Sequence, residues 1–440
     1  LVAWLVGPAF GLSAKKYDWP PALAAVAVAA ALLGAILPLV AHFGIKPDEK
    51  AGANLSYIYL SNIIGSAAGS LVTGFVFLDQ WSLPTIGAVI ACIGMVLVAA
   101  LLFLAELPST GRLASLASLA LVSVLLLKAT PAVYDRIWER LLYKRNFDET
   151  STRFLDIVET KSGVITVTQD GTVYGGGAYD GRVSTSIQHD RNGIFRAHAL
   201  AAMHPSPKRV LMIGLATGAW AQIVAHLPHV EKLTVVEINP GYLTLISKYD
   251  QVKSLLSNPK VEIVVDDGRR WLNRHTDQKF DAVVMNTTWN WRGHSTNLLS
   301  VEFLELVRSR LLPGGMMYFN TTSSDDVKKT AATVFPHALR VYNFMAVSDS
   351  PFSFDKERWR TTLTTMTIDG EPIIEDSADG KAFLDELVSY ADSVNGPPRD
   401  DGIEKRESVL ARVDAAGAKI ITDDNMVTEW RQVLRFQEPP

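Results

Sequence analysis

Residues 209–220 read Arg-Val-Leu-Met-Ile-Gly-Leu-Ala-Thr-Gly-Ala-Trp, and residues 232–239 read Lys-Leu-Thr-Val-Val-Glu-Ile-Asn. An apolar run from Val210 to Ile213 ends in a turn holding Gly214, Thr217 and Gly218. Ala219 to His226 has the pattern of a helix, and a second buried run, Leu233 to Val236, ends in Glu237. Glycines let a backbone come close to a ligand, and a helix start offers N–H groups that have no partner within the helix. A carboxylate at the tip of the second strand, about 20 residues beyond the glycine turn, is placed to accept hydrogen bonds from both ribose hydroxyls. Gly214-x-x-x-Gly218 is not the dinucleotide pattern, and nothing in it prepares a pyrophosphate site. The stretch therefore predicts a nucleoside without phosphates, such as the adenosine of S-adenosylmethionine. The bland alternative is that any doubly wound domain turns on glycine after its first strand.

The α/β rhythm continues outward from this stretch. Strands are predicted at Val210–Ile213, Leu233–Glu237, Val261–Val265, Ala282–Met285 and Met316–Phe319, with further ones at Val341–Val347 and Thr361–Ile368. Helical patterns fill the gaps, including Val301 to Leu311 before a turn at Pro313-Gly314-Gly315. The expected fold is a doubly wound parallel sheet with helices on both faces, of the S-adenosylmethionine-dependent transferase type. Upstream, Phe154 to Val183 alternates in strand fashion with turn signals at Lys161-Ser162-Gly163 and Gln169-Asp170-Gly171, which predicts a small antiparallel β-sheet. Gly175-Gly176-Gly177 reads as a tip or bulge within it.

The N-terminal part is of another kind. The chain has 440 residues with 48% hydrophobic content, and its mean hydropathy is +0.14, high for a soluble protein of this length. Four apolar segments follow one another: Ala22–Val40, Leu55–Leu78, Leu83–Ala105 and Leu113–Leu127. The first three reach the length of about 20 residues that a bilayer requires, and the fourth is short but adequate. None contains Asp, Glu, Lys or Arg, so an ion or proton path has no carriers and the half reads as an anchor. Ser61, Gly65 and Gly69 form a small-residue stripe for close helix approach. Leu1 to Leu12 reads as the end of a longer apolar segment, so an N-terminally truncated membrane domain is expected. Lys15 and Lys16 fall on the same side as Arg136, Arg140, Lys144 and Arg145, which predicts a multi-pass inner-membrane protein with its large domain in the cytoplasm. The expected division is 1–130 transmembrane, 131–150 an amphipathic linker, 151–187 the small sheet, 188–370 the nucleotide-binding domain and 371–440 a polar, helical tail. Net charge is -4, which gives no argument for nucleic acid, and the single cysteine, Cys92, excludes intrachain disulfides and a cysteine metal site. No metal is expected; lipid and a small-molecule substrate are, and a homo-oligomer is compatible with the chain.

The order of β-hairpin sheet, Gly-x-x-x-Gly, Val-Glu-Ile-Asn, Val-Asp-Asp-Gly (265–268) and Leu-Leu-Pro-Gly-Gly (311–315) resembles the spermidine synthase (polyamine aminopropyltransferase) family over about 154–322. Leu60-Ser61-Asn62-Ile63-Ile64-Gly65 and Gly74-Phe75 resemble its bacterial membrane-fused form. The resemblance implies that Glu237 holds the ribose, that Asp267 holds the adenine amino group with Gly268 beside it, and that Gly214 and Gly218 shape the turn under the methionine portion. It also implies S-adenosylmethionine or its decarboxylated form as the donor.

The chain departs from that family where the amines bind. The acid of the family's glycine turn is replaced by Thr217. The two acids after the fourth strand are replaced by Asn286-Thr287-Thr288-Trp289-Asn290-Trp291-Arg292, and Gly193 to His198 lack the family's Tyr-His-Glu. Asn286 cannot take a proton at neutral pH. Trp289 or Trp291 can face a sulfonium, Arg292 can pair with a carboxylate, and His294 is a candidate acid or base. The alternative is that the tryptophans pack the loop and Arg292 caps a helix end. His189 and Asp190 are further candidates on the acceptor side. The expected activity is attack on the carbon chain of an S-adenosyl sulfonium with release of methylthioadenosine: aminopropyl or aminocarboxypropyl transfer, or cyclisation or elimination within the donor. Methyl transfer and a non-catalytic adenosyl-metabolite sensor are the alternatives.

Overall fold

In the computed structural model of the chain, the described residues are 19–190, 192–286, 295–396, 399 and 401–425. They form two compact units, divided between Gln169 and Asp170.

The first unit contains α1 (Trp19–Gly34), α2 (Ile36–Gly44), α3 (Ala51–Val72), α4 (Leu83–Leu104), α5 (Ser109–Val133) and α6 (Ile137–Tyr143), followed by the strands β1 (Asp156–Thr160) and β2 (Gly163–Val167). Four stretches, Val26–Gly44, Ala51–Gln80, Leu83–Leu104 and Ser109–Val133, are helices long and apolar enough to cross a membrane. Their side chains point outward, with Leu104 81% and Leu113 70% exposed, a surface that water disfavours and lipid does not. The fourth helix is longer than its apolar core suggests, because it runs through Pro131 to Val133. A proline so near a helix end removes only one ladder bond. Residues 131–147 consequently form no single amphipathic helix. Tyr134 and Ile137 are buried with Ala91 of α4 and Leu126 of α5, and Trp138 and Leu141 pack on that cluster. These apolar residues face a helix pair.

The β1–β2 hairpin of this unit is bonded directly to helix ends. Glu159 on β1 accepts from the Leu83 backbone N–H at 2.6 Å, capping the start of α4, and from the Trp138 indole at 2.9 Å. Lys161 in the hairpin turn pairs with Asp79 at 2.6 Å.

The second unit begins with the hairpin β3 (Thr172–Gly175) and β4 (Ala178–Arg182). Its main sheet has eight strands, β5 (Arg209–Ile213), β6 (Lys232–Glu237), β7 (Val261–Val265), β8 (Phe280–Met285), β9 (Leu311–Asn320), β10 (His337–Val341), β11 (Phe344–Ser348) and β14 (Ile403–Lys405), in the order β14-β10-β11-β9-β8-β5-β6-β7. A separate two-residue pair, β12 (Thr367–Ile368) and β13 (Glu371–Pro372), lies in the connection. Strands β5 to β9 pair in parallel, and β11, β10 and β14 extend the sheet antiparallel. Side chains alternate across the strands. Leu211, Val283, Met285, Met317 and Phe319 meet one helical layer, α10 (Gly268–Arg274), α11 (Val301–Arg308), α12 (Asp325–Val334) and α15 (Arg406–Ala415). On the opposite face Tyr318 and Phe344 meet Trp220. That layer includes α7 (Phe195–Met203), α8 (Ala219–His226) and α13 (Lys356–Thr365); α9 (Gly241–Ile246) and α14 (Ala378–Ser389) complete the unit.

Three expected elements differ. Residues 341–347 are not one strand but the turn and second arm of the β10–β11 hairpin, with Tyr342 at φ 57° in the turn. Pro313-Gly314-Gly315 does not terminate a segment; it lies inside β9, whose register against β8 shifts there. Residues 361–365, rich in threonine, are helical. Asp355 caps α13 by accepting from the Arg358 N–H, each threonine hydroxyl bonds the carbonyl four residues back, and Trp359 and Leu363 bury one side. Cap and burial override the β preference of threonine.

Replacing Glu159 with alanine should leave a helix N–H and a half-buried indole N–H without acceptors. A loss of about 2–3 kcal/mol in the first unit's stability is expected, measured by thermal denaturation of the full chain in detergent. A change under about 0.5 kcal/mol would show that water replaces both bonds.

Candidate functional site

Two runs of strands leave β5 in opposite directions, β6 and β7 on one side, β8 and β9 on the other. A crevice opens at the carboxyl ends of the strands at such a reversal. The residues at that edge are the glycine turn after β5, Glu237 after β6, Asp266 and Asp267 after β7, and Asn286 after β8.

The glycine turn is tight. Gly218 has φ 78° as the residue before α8, and a side chain there would press on Ile246 and Val252. Thr217 is buried, and its hydroxyl accepts from the Ala219 N–H at 3.4 Å. Glu237, 4% exposed, braces this turn. Its Oε2 accepts from the Leu215 N–H at 2.6 Å and its Oε1 from the Asn239 N–H at 2.7 Å. Burial pushes its carboxyl above the usual range, although these backbone bonds pull the other way; the nearby Asp180 carboxylate adds to the rise. The Ala216 backbone also acts on the carboxylate, and acceptor capacity beyond these backbone contacts is what a ribose hydroxyl could use.

Asp267 caps α10, with Oδ1 accepting from the Arg270 N–H at 2.7 Å. Its Oδ2 has no partner among the described residues and is free to accept from an amino group. Gly268 lets this helix start touch β5, because a Cβ would stand 2.6 Å from the Ile213 Cγ2. Asp266 is committed elsewhere, to Arg270 and to the Asp267 N–H.

Asp190 and His189 lie before α7. Both Asp190 oxygens take backbone N–H groups, from Asn192 and Ile194, which fixes the carboxylate as a brace of that turn. His189 contacts Ser186. His198, in the segment expected to matter for acceptors, is wholly buried and unpartnered among the described residues, and burial pushes its pKa down to about 3. It is a neutral core residue. Trp289, Trp291, Arg292 and His294 lie outside the described residues, and so does Thr287.

Several groups at this edge carry no sequence signature. Asp180 on β4 accepts from the Tyr242 hydroxyl, and Tyr179 donates to Asn192. Asn286 accepts at Oδ1 from Asn320 at 3.1 Å. Asn320 accepts from the Thr322 N–H at 2.7 Å and from Asn343 at 3.1 Å. Asn343 accepts from the Arg196 guanidinium at 2.6 Å. Arg196 is 8% exposed and ringed by Phe344, Tyr342 and Trp220. No carboxylate among the described residues pairs with it, and burial lowers its pKa. Among the described residues no His, Cys, Asp and Glu group converges to hold a metal.

Residues 196–344 match the family model described as the spermine/spermidine synthase domain. The polyamine aminopropyltransferase of Desulforudis audaxviator is 30% identical over 170 residues, covering 36% of this chain and 60% of that protein. The polyamine aminopropyltransferase of Mycobacterium tuberculosis is 23% identical over 381 residues, covering 82% of this chain and 70% of that one. A solved spermidine synthase in complex with the transition state analogue AdoDATO aligns with a TM-score of 0.42 at 19% identity, covering 54% of this chain and 88% of that one. Residues 196–344, which bring the glycine turn, Glu237 and Asp267 to one edge of the sheet, thus match a spermine/spermidine synthase domain, and the chain spans about 60% of the length of the first of these relatives.

Proposed function

We propose that this protein is a membrane-anchored transferase that moves an aminopropyl-type group from an S-adenosyl sulfonium to a nucleophile and releases methylthioadenosine. The observation that carries the reading is the buried Glu237 carboxylate at the strand reversal. It is held by the very glycine turn it braces, with acceptor capacity left for a ribose and with Asp267 Oδ2 open one strand away. In the transfer, a nucleophile's lone pair attacks the carbon bonded to sulfur. The C–S bond breaks with its electron pair going to sulfur, and an amine nucleophile sheds one proton. Sulfur leaves as a neutral thioether, so positioning and field supply the catalysis. Asp180, bonded to Tyr242 and close enough to raise the Glu237 pKa, is the carboxylate we assign to the donor's amine.

The neutral Thr217 and Asn286 favour aminocarboxypropyl transfer from S-adenosylmethionine as the second reading, with polyamine aminopropyl transfer the simplest family version. The four apolar helices support an anchor, and the basic residues 136–145 support a cytoplasmic catalytic domain. Incubating the purified full chain separately with S-adenosylmethionine and with its decarboxylated form, then identifying the nucleoside, tests the chemistry. Methylthioadenosine is expected; S-adenosylhomocysteine would mark methyl transfer, and unchanged donor in both would sink the enzymatic reading.

Glu237→Gln should weaken methylthioadenosine binding about tenfold to a hundredfold, from the loss of charge-assisted bonds. It should also destabilise the unit by about 1–3 kcal/mol, because one carboxamide nitrogen then faces a backbone N–H. Calorimetry and chemical denaturation measure the two.

The raised Glu237 pKa has a sign. The protonated form is favoured in the folded chain, so this group's stability contribution is full below its ordinary pKa of 4.5 and is lost as pH rises through the folded value. Ribose hydroxyls favour the ionised form. Nucleoside affinity should therefore fall as pH drops toward 4.5, with the loss beginning above that value, and the pH dependence should vanish in Glu237→Gln.

A further inference from the structure

Four side chains at the crevice edge form a chain of hydrogen bonds whose direction is fixed. A guanidinium only donates, so the Arg196 Nη1 contact at 2.6 Å makes the Asn343 side-chain oxygen the acceptor. That leaves the Asn343 amide nitrogen to donate to Asn320 at 3.1 Å. The Thr322 backbone N–H, also a pure donor, holds the same Asn320 oxygen at 2.7 Å. Two donor-only groups therefore agree on how Asn320 lies, which removes the usual ambiguity of a carboxamide flip. The Asn320 nitrogen must then donate, and it does so to the Asn286 oxygen at 3.1 Å. What remains of Asn286 is its NH2 group, which has no partner among the described residues.

Asn286 follows the carboxyl end of β8, at the strand reversal, and is only half-buried. It shares a sheet face with Tyr318 and Asn320 by strand alternation. We propose that Asn286 is a specificity-determining residue that presents a hydrogen-bond donor to the crevice and selects a carboxylate over an ammonium on the reacting ligands. Arg196 acts as the positioning residue. Its buried charge makes no ion pair with a carboxylate among the described residues, although Asp190 acts on it at longer range; the charge biases the same edge toward an anion, and its donor-only chemistry orients the relay. The carboxylate has two sources: the methionine portion of the donor, or an acceptor of amino-acid type. The proposal rests on the sulfonium-transfer reading for the identity of these ligands.

Binding to the full chain in detergent decides it, using two matched pairs that differ by one carboxylate. The first is S-adenosylmethionine against its decarboxylated form. The second is ornithine against putrescine, both in saturating methylthioadenosine. The carboxylate-bearing member of at least one pair should bind about tenfold to a hundredfold more tightly, as one charge-assisted bond permits; which pair responds names the source. Asn286→Asp keeps the acceptor oxygen for Asn320 but presents a carboxylate, so the order in that pair should invert. Asn286→Ala should bring the ratio near one. A carboxylate preference in neither pair, no binding of any of the four, or a preference indifferent to Asn286→Asp each overturns the proposal. Methylthioadenosine release is scored separately. A protein that shows the expected binding order without turnover keeps this inference and loses the transfer chemistry.

Discussion

A single buried carboxylate holds the candidate site in shape. Glu237 receives N–H groups from the glycine turn after β5 and from the residue two beyond itself. A charge with so little exposure is tolerated only when its lone pairs are met. The turn can be tight because its acid is there, and the acid can be buried because the turn supplies donors. The turn and the first residues of α8 depend on that exchange. Ligand recognition at this edge is consequently coupled to local stability: any group that replaces water on Glu237 offsets the burial that raises its pKa.

The other flank of the crevice follows a different rule. Beyond β8 the described residues offer neutral amides and one buried guanidinium, and their hydrogen-bond directions propagate from the ends that cannot accept. The two flanks thus have opposite polarity. The β4–β6 side carries Asp180 and Glu237, and the β8–β11 side carries the Asn286 amide backed by Arg196. A ligand with a cationic sulfur, an amine and a carboxylate can satisfy both flanks at once. A ligand with cations alone leaves the second flank's donors unmet, which is the costlier half of a failed hydrogen bond.

The central parallel strands were legible because burial on both faces leaves unbroken apolar runs such as Val210–Ile213 and Ala282–Met285, and the residues that punctuate them, Gly214 and Gly218, have only a few local uses. Glu237 and Asp267 were legible for the same reason, since a strand end fixes their place. Threonines 361, 362, 364 and 365 misled because their β preference is a weak local bias, overridden by the Asp355 cap and by Trp359 and Leu363 packing from outside the window. The amide relay was not legible at all. Asn286 and Asn320 are 34 residues apart and Asn320 and Asn343 are 23 apart; they meet only because β8, β9 and β11 are neighbours with a particular register. Asp190 shows the converse: an acid in the right neighbourhood whose lone pairs are spent on its own turn.

The first unit adds a constraint that composition alone could not supply. Glu159 ties β1 both to the start of α4 and to the Trp138 indole of α6, and Asp79 ties the end of the second apolar stretch to the hairpin turn. The turn at 80–83 and the segment at 134–138 therefore belong to one end of the helical array, the end from which the chain continues into the hairpin. Helices 51–80 and 109–133 run toward that end, and 83–104 runs away from it. The connections near 45–50 and 105–108 then fall at the opposite end. Arg136, Arg140, Lys144 and Arg145 lie at the hairpin end, and Lys46, Lys50 and Arg112 lie at the other. Hydrogen bonding thus fixes which helix ends are neighbours, a relation that the apolar pattern alone does not give.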